Sequence, residues 1–580
     1  MHTCNILSRD YGSWNYTPGD ERLQGPLSYK LFDGDVFSRN EDDGKVVLIE
    51  SPLKKDKNIP GILILENNKT YGRTENSKRL YYKCRPHNPK IPCFLIAYDI
   101  SVGFNKHYKN KYVTFSYHHW TDKHPIGVLS QNFGDVYNLP SFNEYQLVCN
   151  QLQLSNKPAV SLTSEALRLR PCNSYQKEIL DNPKRFGNMV RLADEGIHIF
   201  TIDPAGCCDR DDALSIMSRT NKEITEYVVT VHIANVWVWI EMLGLSDVLG
   251  NRISTIYFPE MKRNMLPTAI GDELCSLDEG VLRFAFSMDF TVIEHPKKGV
   301  YIQYLNSVRP NMYQSVIRVT NNYVYEQPDL LGSVDYQSLK VLTQKLDKTV
   351  KNSHDVVAFW MIQMNYYTAK HMKSERFGIF RTVQSKNKSG QVNPDPPEHE
   401  NEKLPMVCRL WEQQMAGEYV VYTNNNKTQN LSHHALGVTE YTHITSPIRR
   451  MVDLLNQIAW VKYHIKEVNF SVMLNNFYEK QLENIKDIND KMKKIRKIQS
   501  DAHILWAVVT DPNILSRTFH AFILNKGDNE PKKMVYIEEL KWMTRCHIPE
   551  TMSLDESFSC KLFVFDNEEQ MTKKIRIQIM

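Results

Sequence analysis

The segment Thr201-Ile-Asp-Pro-Ala-Gly-Cys-Cys-Asp-Arg-Asp-Asp-Ala-Leu-Ser215 sets the hardest condition on any fold of this chain. It places Asp203, Asp209, Asp211 and Asp212 within ten residues, with Arg210 as the counter-charge inside the cluster. An apolar run (Ile197, Ile199, Ile202) leads into it, Pro204 and Gly206 turn the chain, and an apolar Ala213-Leu-Ser-Ile-Met217 leads out. A solvated acidic turn is the commoner fate of such a loop, but apolar flanks on both sides argue for an inward placement. Two carboxylates 4 Å apart repel by about 4 kcal/mol at an effective dielectric near 20. Converging carboxylates therefore need a cation, or must hold protons. Hard oxygen ligands suit Mg²⁺ or Mn²⁺ rather than zinc. Such an ion, held by aspartates, is standard equipment for cutting phosphodiesters. A calcium loop is disfavoured because the EF-hand spacing and its closing glutamate are absent. In an extended chain Asp209 and Asp211 would share one side and Asp212 the other.

A second segment, Tyr441-Thr-His-Ile-Thr-Ser-Pro-Ile-Arg-Arg-Met-Val-Asp-Leu-Leu455, reads as a helix start. Thr445 or Ser446 is the expected N-cap and Pro447 the first helical residue. Ile448, Val452, Leu455 and Ala459 then repeat on one buried face. Arg449 and Arg450 fall in the expected first turn, where cations are disfavoured by about 0.3–1 kcal/mol each. That placement makes sense if a phosphate arrives. The simpler alternative pairs Arg449 with Asp453 one turn on.

The rest of the chain sets these segments in a multidomain context, since 580 residues exceed one core. Short β runs fill the first 165 residues or so, among them "GILILENN", "PCFLIAYDI" and "KYVTFSYHHW", and small barrels of the OB type are expected there. One stretch mixes Lys69, Arg73, Lys78, Arg79, Lys83, Arg85 and Lys90 with Tyr71, Tyr81 and Tyr82. It suits single-stranded nucleic acid as well as it suits a solvated strand face over core tyrosines. Residues 166–195 read as a linker with a helical piece, 351–376 and 446–510 as helical, and 515–580 as β again. The basic run Lys491–Gln499 could line an RNA entrance, although a solvated helix face is the commoner outcome. Net charge is +4, too balanced to announce a nucleic-acid binder. The 11 cysteines form no CxxC pair and read as reduced, intracellular thiols. Neither a secretory leader nor a membrane span is expected.

At the two motifs the chain resembles the RNase II (RNB) family. "TIDPAGCCDRDDALS" is similar to the family's TIDP signature with three further aspartates, and "HHALGVTEYTHITSPIRRMVDLL" to its TSPIRR signature. "VHIANVWVWI", "RISTIYFPEMKRNMLPTAIGDELCSL" and "GIFRTV" resemble intervening family stretches in the same order, over most of 190–510. The N-terminal flank resembles the cold-shock-type barrels of the exosome-associated branch, with no room expected for its PIN endonuclease domain, and 515–580 resembles, in a short form, the RNA-binding barrel that closes these enzymes. The implied fold is α+β and multidomain. It has OB-like barrels at 1–75 and 76–165, a mixed α/β RNB catalytic domain at 190–510, and a short OB barrel at 515–580.

The resemblance also implies roles. Asp203, Asp209 and Asp212, with Asp211, would hold Mg²⁺ (or Mn²⁺), and Asp211 would be the aspartate on which catalysis most depends. Arg449 would act on the scissile phosphate, and Tyr257 would pack on the 3′-terminal nucleotide. Arg450, Ser446 and Thr445 would contact RNA. The implied activity is processive 3′→5′ hydrolysis of single-stranded RNA to 5′-mononucleotides by a cytoplasmic monomer that touches no membrane. Departures from the family pattern are Asn235 in place of an aspartate, Ala358 or Phe359 in place of an acidic residue, Gln499 in place of a glutamate and Met451 in place of a tyrosine. They keep open an alternative: an RNA-binding protein of the same fold with weak or no catalysis.

Overall fold

A computed structural model describes residues 1–74, 79–99, 108–221, 224–303, 311–383, 417–423, 430–465, 467–523, 532–549, 557–567 and 571–580. Strands His2–Ile6, Trp14–Thr17, Val36–Arg39 and Val46–Glu50 form a four-stranded antiparallel sheet. Five more, from Ile59–Leu63 to Ile126–Asp135, close a barrel. Strand Leu80–Pro86 shows why: every second residue (Tyr82, Cys84, Pro86) is buried, so one face must close on a core. The barrel strands run from Ile59–Leu63 to Ile126–Asp135. The basic-aromatic stretch divides accordingly: Tyr82 is core, while Tyr71 and Tyr81 are half-buried. Lys78 lies outside the described residues. Helices Lys157–Leu169 and Cys172–Asp181 then lead to the central domain.

Its centre is an eight-stranded mixed sheet. Strand Ile224–Ala234 lies between Asp212–Asn221 and Leu282–His295, and Ile199–Asp203 sits outside Asp212–Asn221. The middle of the sheet is covered on both sides, so its strands read as near-continuous apolar runs such as Phe284-Ala-Phe-Ser-Met288. One polar thread crosses this interior: His232 joins Ser215 (3.1 Å) and Ser287 (2.7 Å). Burial lowers the imidazole to about 3, so it is neutral there.

Helix Ser353–Ser374 is stopped at its start by a capping box between Asn352 and Asp355. The expected 446–510 helix is three helices: Met451–His464, Val472–Glu483 and Ile485–Thr510. In the last of these, Ile488, Ile495 and Ile498 are buried. Lys491 pairs with Asp487 and Lys493 with Glu418, so the basic run is the outer face of a packed helix.

The C-terminal strands form an OB-like five-stranded sheet around their own core, which includes Phe519, Val535, Trp542 and Leu562. This sheet meets the N-terminal barrel, where the Tyr112 hydroxyl donates to the Met571 carbonyl (2.9 Å). Among the described residues no helix is long and apolar enough to cross a membrane, and the described cysteines are free thiols.

Candidate active site

Asp203 ends strand Ile199–Asp203 and Asp212 begins strand Asp212–Asn221. The strands pair antiparallel, Ile199 opposite Ser215 and Phe200 opposite Leu214, so the two aspartates stand at neighbouring strand ends. Between them the chain turns at Pro204–Cys207, where Gly206 has φ +77°. Burial pushes the Asp212 carboxyl up to about 7, and the charge of Asp203 adds to this while Arg449 and Arg450 oppose it. Asp203 is raised too, first by burial. Its Oδ2 is buried without a hydrogen bond, with Arg210 Nε at 3.7 Å. Two buried carboxyls, the charge of one raising the other, with a single guanidinium at salt-bridge distance from one of them, leave room for further positive charge.

Asp211 is 3% exposed and faces a different partner set. Oδ1 accepts from the Ile448 N–H (2.8 Å) and Oδ2 from Arg449 Nε (3.1 Å). Burial pushes this carboxyl up, while Arg449 and the Ile448 N–H pull it back. Arg449 is itself held by Ser446, whose Oγ accepts from Nη2 (2.9 Å). Its carbonyl accepts from Thr255 N–H (3.0 Å), tying it to the segment that carries Tyr257.

Asp209 lies in a third setting. Tyr257 and Lys262 are directly paired across the short hairpin Ile256–Tyr257/Lys262–Arg263. Cross-strand partners present their side chains on one face. The Tyr257 hydroxyl donates to Asp209 Oδ2 (3.1 Å) and Lys262 Nζ to Oδ1 (3.1 Å). Lys262 also reaches Asp272 (3.5 Å), carried on a wide turn Ala269–Cys275.

Among the described residues no three His, Cys, Asp or Glu side chains are grouped to hold an ion. Asp203 and Asp212 stand at neighbouring strand ends, with Arg210 3.7 Å from Asp203, while Asp209 bonds Lys262 and Asp211 bonds Arg449. One expectation, on the arginines, is corrected. The helix begins at Met451, with Arg450 extended before it and bridged to Ser254. Ahead of it, Ser446 N–H donates to Asp453 (2.8 Å) and Ile448 N–H to Asp211. It is Arg450 that pairs with Asp453 (2.8 Å), not Arg449. Thr445 is buried and accepts from Asn365 (3.2 Å).

Sequence reasoning missed Lys262, Asp272 and Tyr325. Tyr325 follows Asp203's partner strand, donates its backbone N–H to the Asp203 carbonyl (3.2 Å) and stacks on His354 at 3.6 Å. Burial raises its hydroxyl, and the charges of Asp212 and Asp203 add to the shift. The "YFPEMKR" turn was the available signal for Lys262; nothing local marked Tyr325. Of the departures, Asn235 is buried and donates to Gln314 Oε1 (2.9 Å), Met451 is buried, Gln499 is half-buried and Ala358 is exposed.

A model of the RNB domain matches residues 192–348 and 332–466. The chain is 25% identical over 362 residues to a ribonuclease R of Chlamydia pneumoniae, a match that takes in 52% of this chain and 52% of that protein. It spans about half the length of the curated relatives it matches. The fold is similar to that of Mycoplasma genitalium RNase R solved with ribose-methylated single-stranded RNA, with TM-score 0.66, 15% identity and 100% of both chains covered. It is also similar to yeast Ssd1, a pseudonuclease, with TM-score 0.55 and 16% identity over 88% of this chain and 68% of that one.

Proposed function

The chain belongs to the RNB family, and from that premise we propose that it is a divalent-metal-dependent exoribonuclease that hydrolyses single-stranded RNA from its 3′ end, processively and to 5′-mononucleotides. The observation that carries this reading is the pair Asp203 and Asp212 at neighbouring strand ends, with the Asp211–Arg449 ion pair beside it. The donors fit a hard cation, being carboxylate oxygens, one of them buried and unpartnered. Asp203 and Asp212 would hold Mg²⁺ or Mn²⁺, which when bound supplies a polarised water and charge stabilisation at phosphorus.

The chain's own residues do the rest. Asp211 and Ser446 fix Arg449 at Nε and Nη2, and the side chain is 43% exposed, so its remaining donors would be free to meet a phosphate. Asp211 thereby sets the direction of that charge. In the step itself the water oxygen bonds to phosphorus, the bond to the 3′ oxygen of the preceding nucleotide breaks, and that oxygen takes up the proton. The Tyr257 ring, oriented by its bond to Asp209, would pack on the terminal nucleotide.

The test is incubation of a 5′-labelled single-stranded RNA with Mg²⁺ or Mn²⁺. Stepwise shortening with release of mononucleotides supports the proposal. An RNA that stays intact at every metal concentration, yet is tightly bound, selects the second reading, a non-catalytic RNA-binding protein. That reading draws on Asp209 already being satisfied by Lys262 and Tyr257, and on the likeness to a pseudonuclease. RNA against DNA of equal sequence separates a ribonuclease from a deoxyribonuclease.

A further inference from the structure

Asp209 has no oxygen to spare. Oδ2 accepts from Tyr257 and Oδ1 from Lys262, and only 8% of its side chain is exposed. Lys262 is held from both sides, by Asp209 and by Asp272 at 3.5 Å, and the other Asp272 oxygen is buried with no hydrogen bond. The hairpin register that pairs Tyr257 with Lys262 fixes the ammonium there rather than leaving it to a mobile surface chain. The position is near the carboxylate pair Asp203 and Asp212 and the Asp211–Arg449 ion pair: the charge of Asp209 acts on Asp203, and Tyr257 lies within the field of Asp209, Arg449 and Asp211. An ammonium between two carboxylates leaves one net negative charge where two aspartates alone would leave two. A second divalent ion would have to displace it.

Resting on the hydrolytic reading above, we propose that Lys262 is a built-in second cation of this site, so that the chain works with one divalent ion, at Asp203 and Asp212, instead of two. Two-ion phosphodiesterases use their second ion to offset charge on the leaving oxygen. Here a fixed ammonium on the Asp209 side does so as the bond from phosphorus to the 3′ oxygen breaks. It changes no proton count, because the proton from the attacking water still ends on that oxygen.

The experiment measures Mn²⁺ stoichiometry by calorimetry and by electron paramagnetic resonance on the whole chain, together with the dependence of hydrolysis on Mn²⁺. The parent should bind one ion per chain and show first-power dependence. Lys262→Met should open Asp209 and Asp272 and bind two ions. Its rate at low Mn²⁺ should fall about 10²-fold, and recover at high Mn²⁺ with second-power dependence. That rescue is a signature a merely structural salt bridge would not give. Lys262→Gln serves as the second variant if the methionine form misfolds by circular dichroism. Two ions in the parent, or one ion and an unchanged rate in a folded Lys262 variant, overturns the inference. A parent that binds one ion but leaves RNA intact sinks the exonuclease reading instead, while the stoichiometry of the variants still judges the lysine.

Discussion

Replacing Asp211 by asparagine separates chemistry from stability more cleanly than any other change in this site. The amide oxygen can still accept from Ile448 N–H, now 2.8 Å from Oδ1, but an NH₂ group replaces the oxygen that holds Arg449 Nε at 3.1 Å. Breaking a fully buried ion pair costs about 3–5 kcal/mol. Arg449 is 43% exposed, however, so solvent screening reduces its share to about 1 kcal/mol. Removing a carboxylate that burial had already pushed up offsets part of even that. The melting temperature should therefore move by only a few degrees, at about 2–4 °C per kcal/mol for a domain of this size. Activity should behave differently. With one of its two anchors gone, Arg449 can swing, and a displacement of about 1 Å at a reacting centre costs about 10²-fold. Single-turnover hydrolysis of a 5′-labelled single strand at saturating enzyme should slow by at least that factor, while RNA affinity changes little. An Asp211→Asn protein that cuts within about threefold of the parent would refute the role given to the Asp211–Arg449 pair. A melting temperature depressed by tens of degrees would refute the energetic argument.

The pH dependence of metal binding follows from Asp212. Its carboxyl is raised to about 7 in the folded chain, so the metal-free fold holds a proton the unfolded chain has lost. This contribution stabilises at low pH and is lost as pH rises from the ordinary carboxylate range through about 7. Scanning fluorimetry in chelator should show the melting temperature falling over that range. Mn²⁺ should reverse the trend, and calorimetry in buffers of different ionisation heat should detect proton release on binding. Arg450→Met should destabilise by about 2–4 kcal/mol, because Asp453 is fully buried and keeps only the Ser446 N–H; an unchanged chemical-denaturation midpoint would contradict this. Asn235→Asp, which restores the family's residue, should cost about 1–3 kcal/mol rather than raise activity. Gln314 Oε1 already accepts from Trp237 (3.1 Å), while Gln314 Nε2 donates to Phe186, so a carboxylate would meet an oxygen.

What the sequence revealed of the fold follows from the range of each interaction. The helical pattern over 351–376 and the short β runs of the first 165 residues rest on a few neighbouring residues each, and helix Ser353–Ser374 and strand Leu80–Pro86 form there. The start of helix Met451–His464 was misread for the opposite reason. Ser446 and Pro447 have the right local chemistry to begin a helix. A turn does close from Ser446 to Arg450, but Arg450 is held extended in a bridge to Ser254, far away in the chain, so the regular helix begins after it. A strand bridge that arrives through tertiary packing has no local trace. The barrel depends on range in the same way: strand Ile59–Leu63 pairs with both Leu80–Pro86 and Lys111–His119.

The candidate site shows the same division at the level of charge. Counting four aspartates within ten residues marked a candidate site, because the covalent chain alone guarantees that those charges are close. It could not say how they are neutralised, since that depends on which cations the fold delivers. Arg449 arrives at Asp211 from one signature and Lys262 at Asp209 from a hairpin, while Asp203 has only the longer contact to Arg210 and Asp212 is pushed up by burial and by Asp203. Four aspartates close in sequence are thus given different partners by packing: Asp211 holds Arg449, Asp209 holds Lys262 and Tyr257, and Asp203 and Asp212 stand at neighbouring strand ends. The residue types carry the reaction class. The division of labour among them is a property of the register of strands Ile199–Asp203 and Asp212–Asn221 and of the hairpin at Tyr257, and a one-residue slip in either would reassign it.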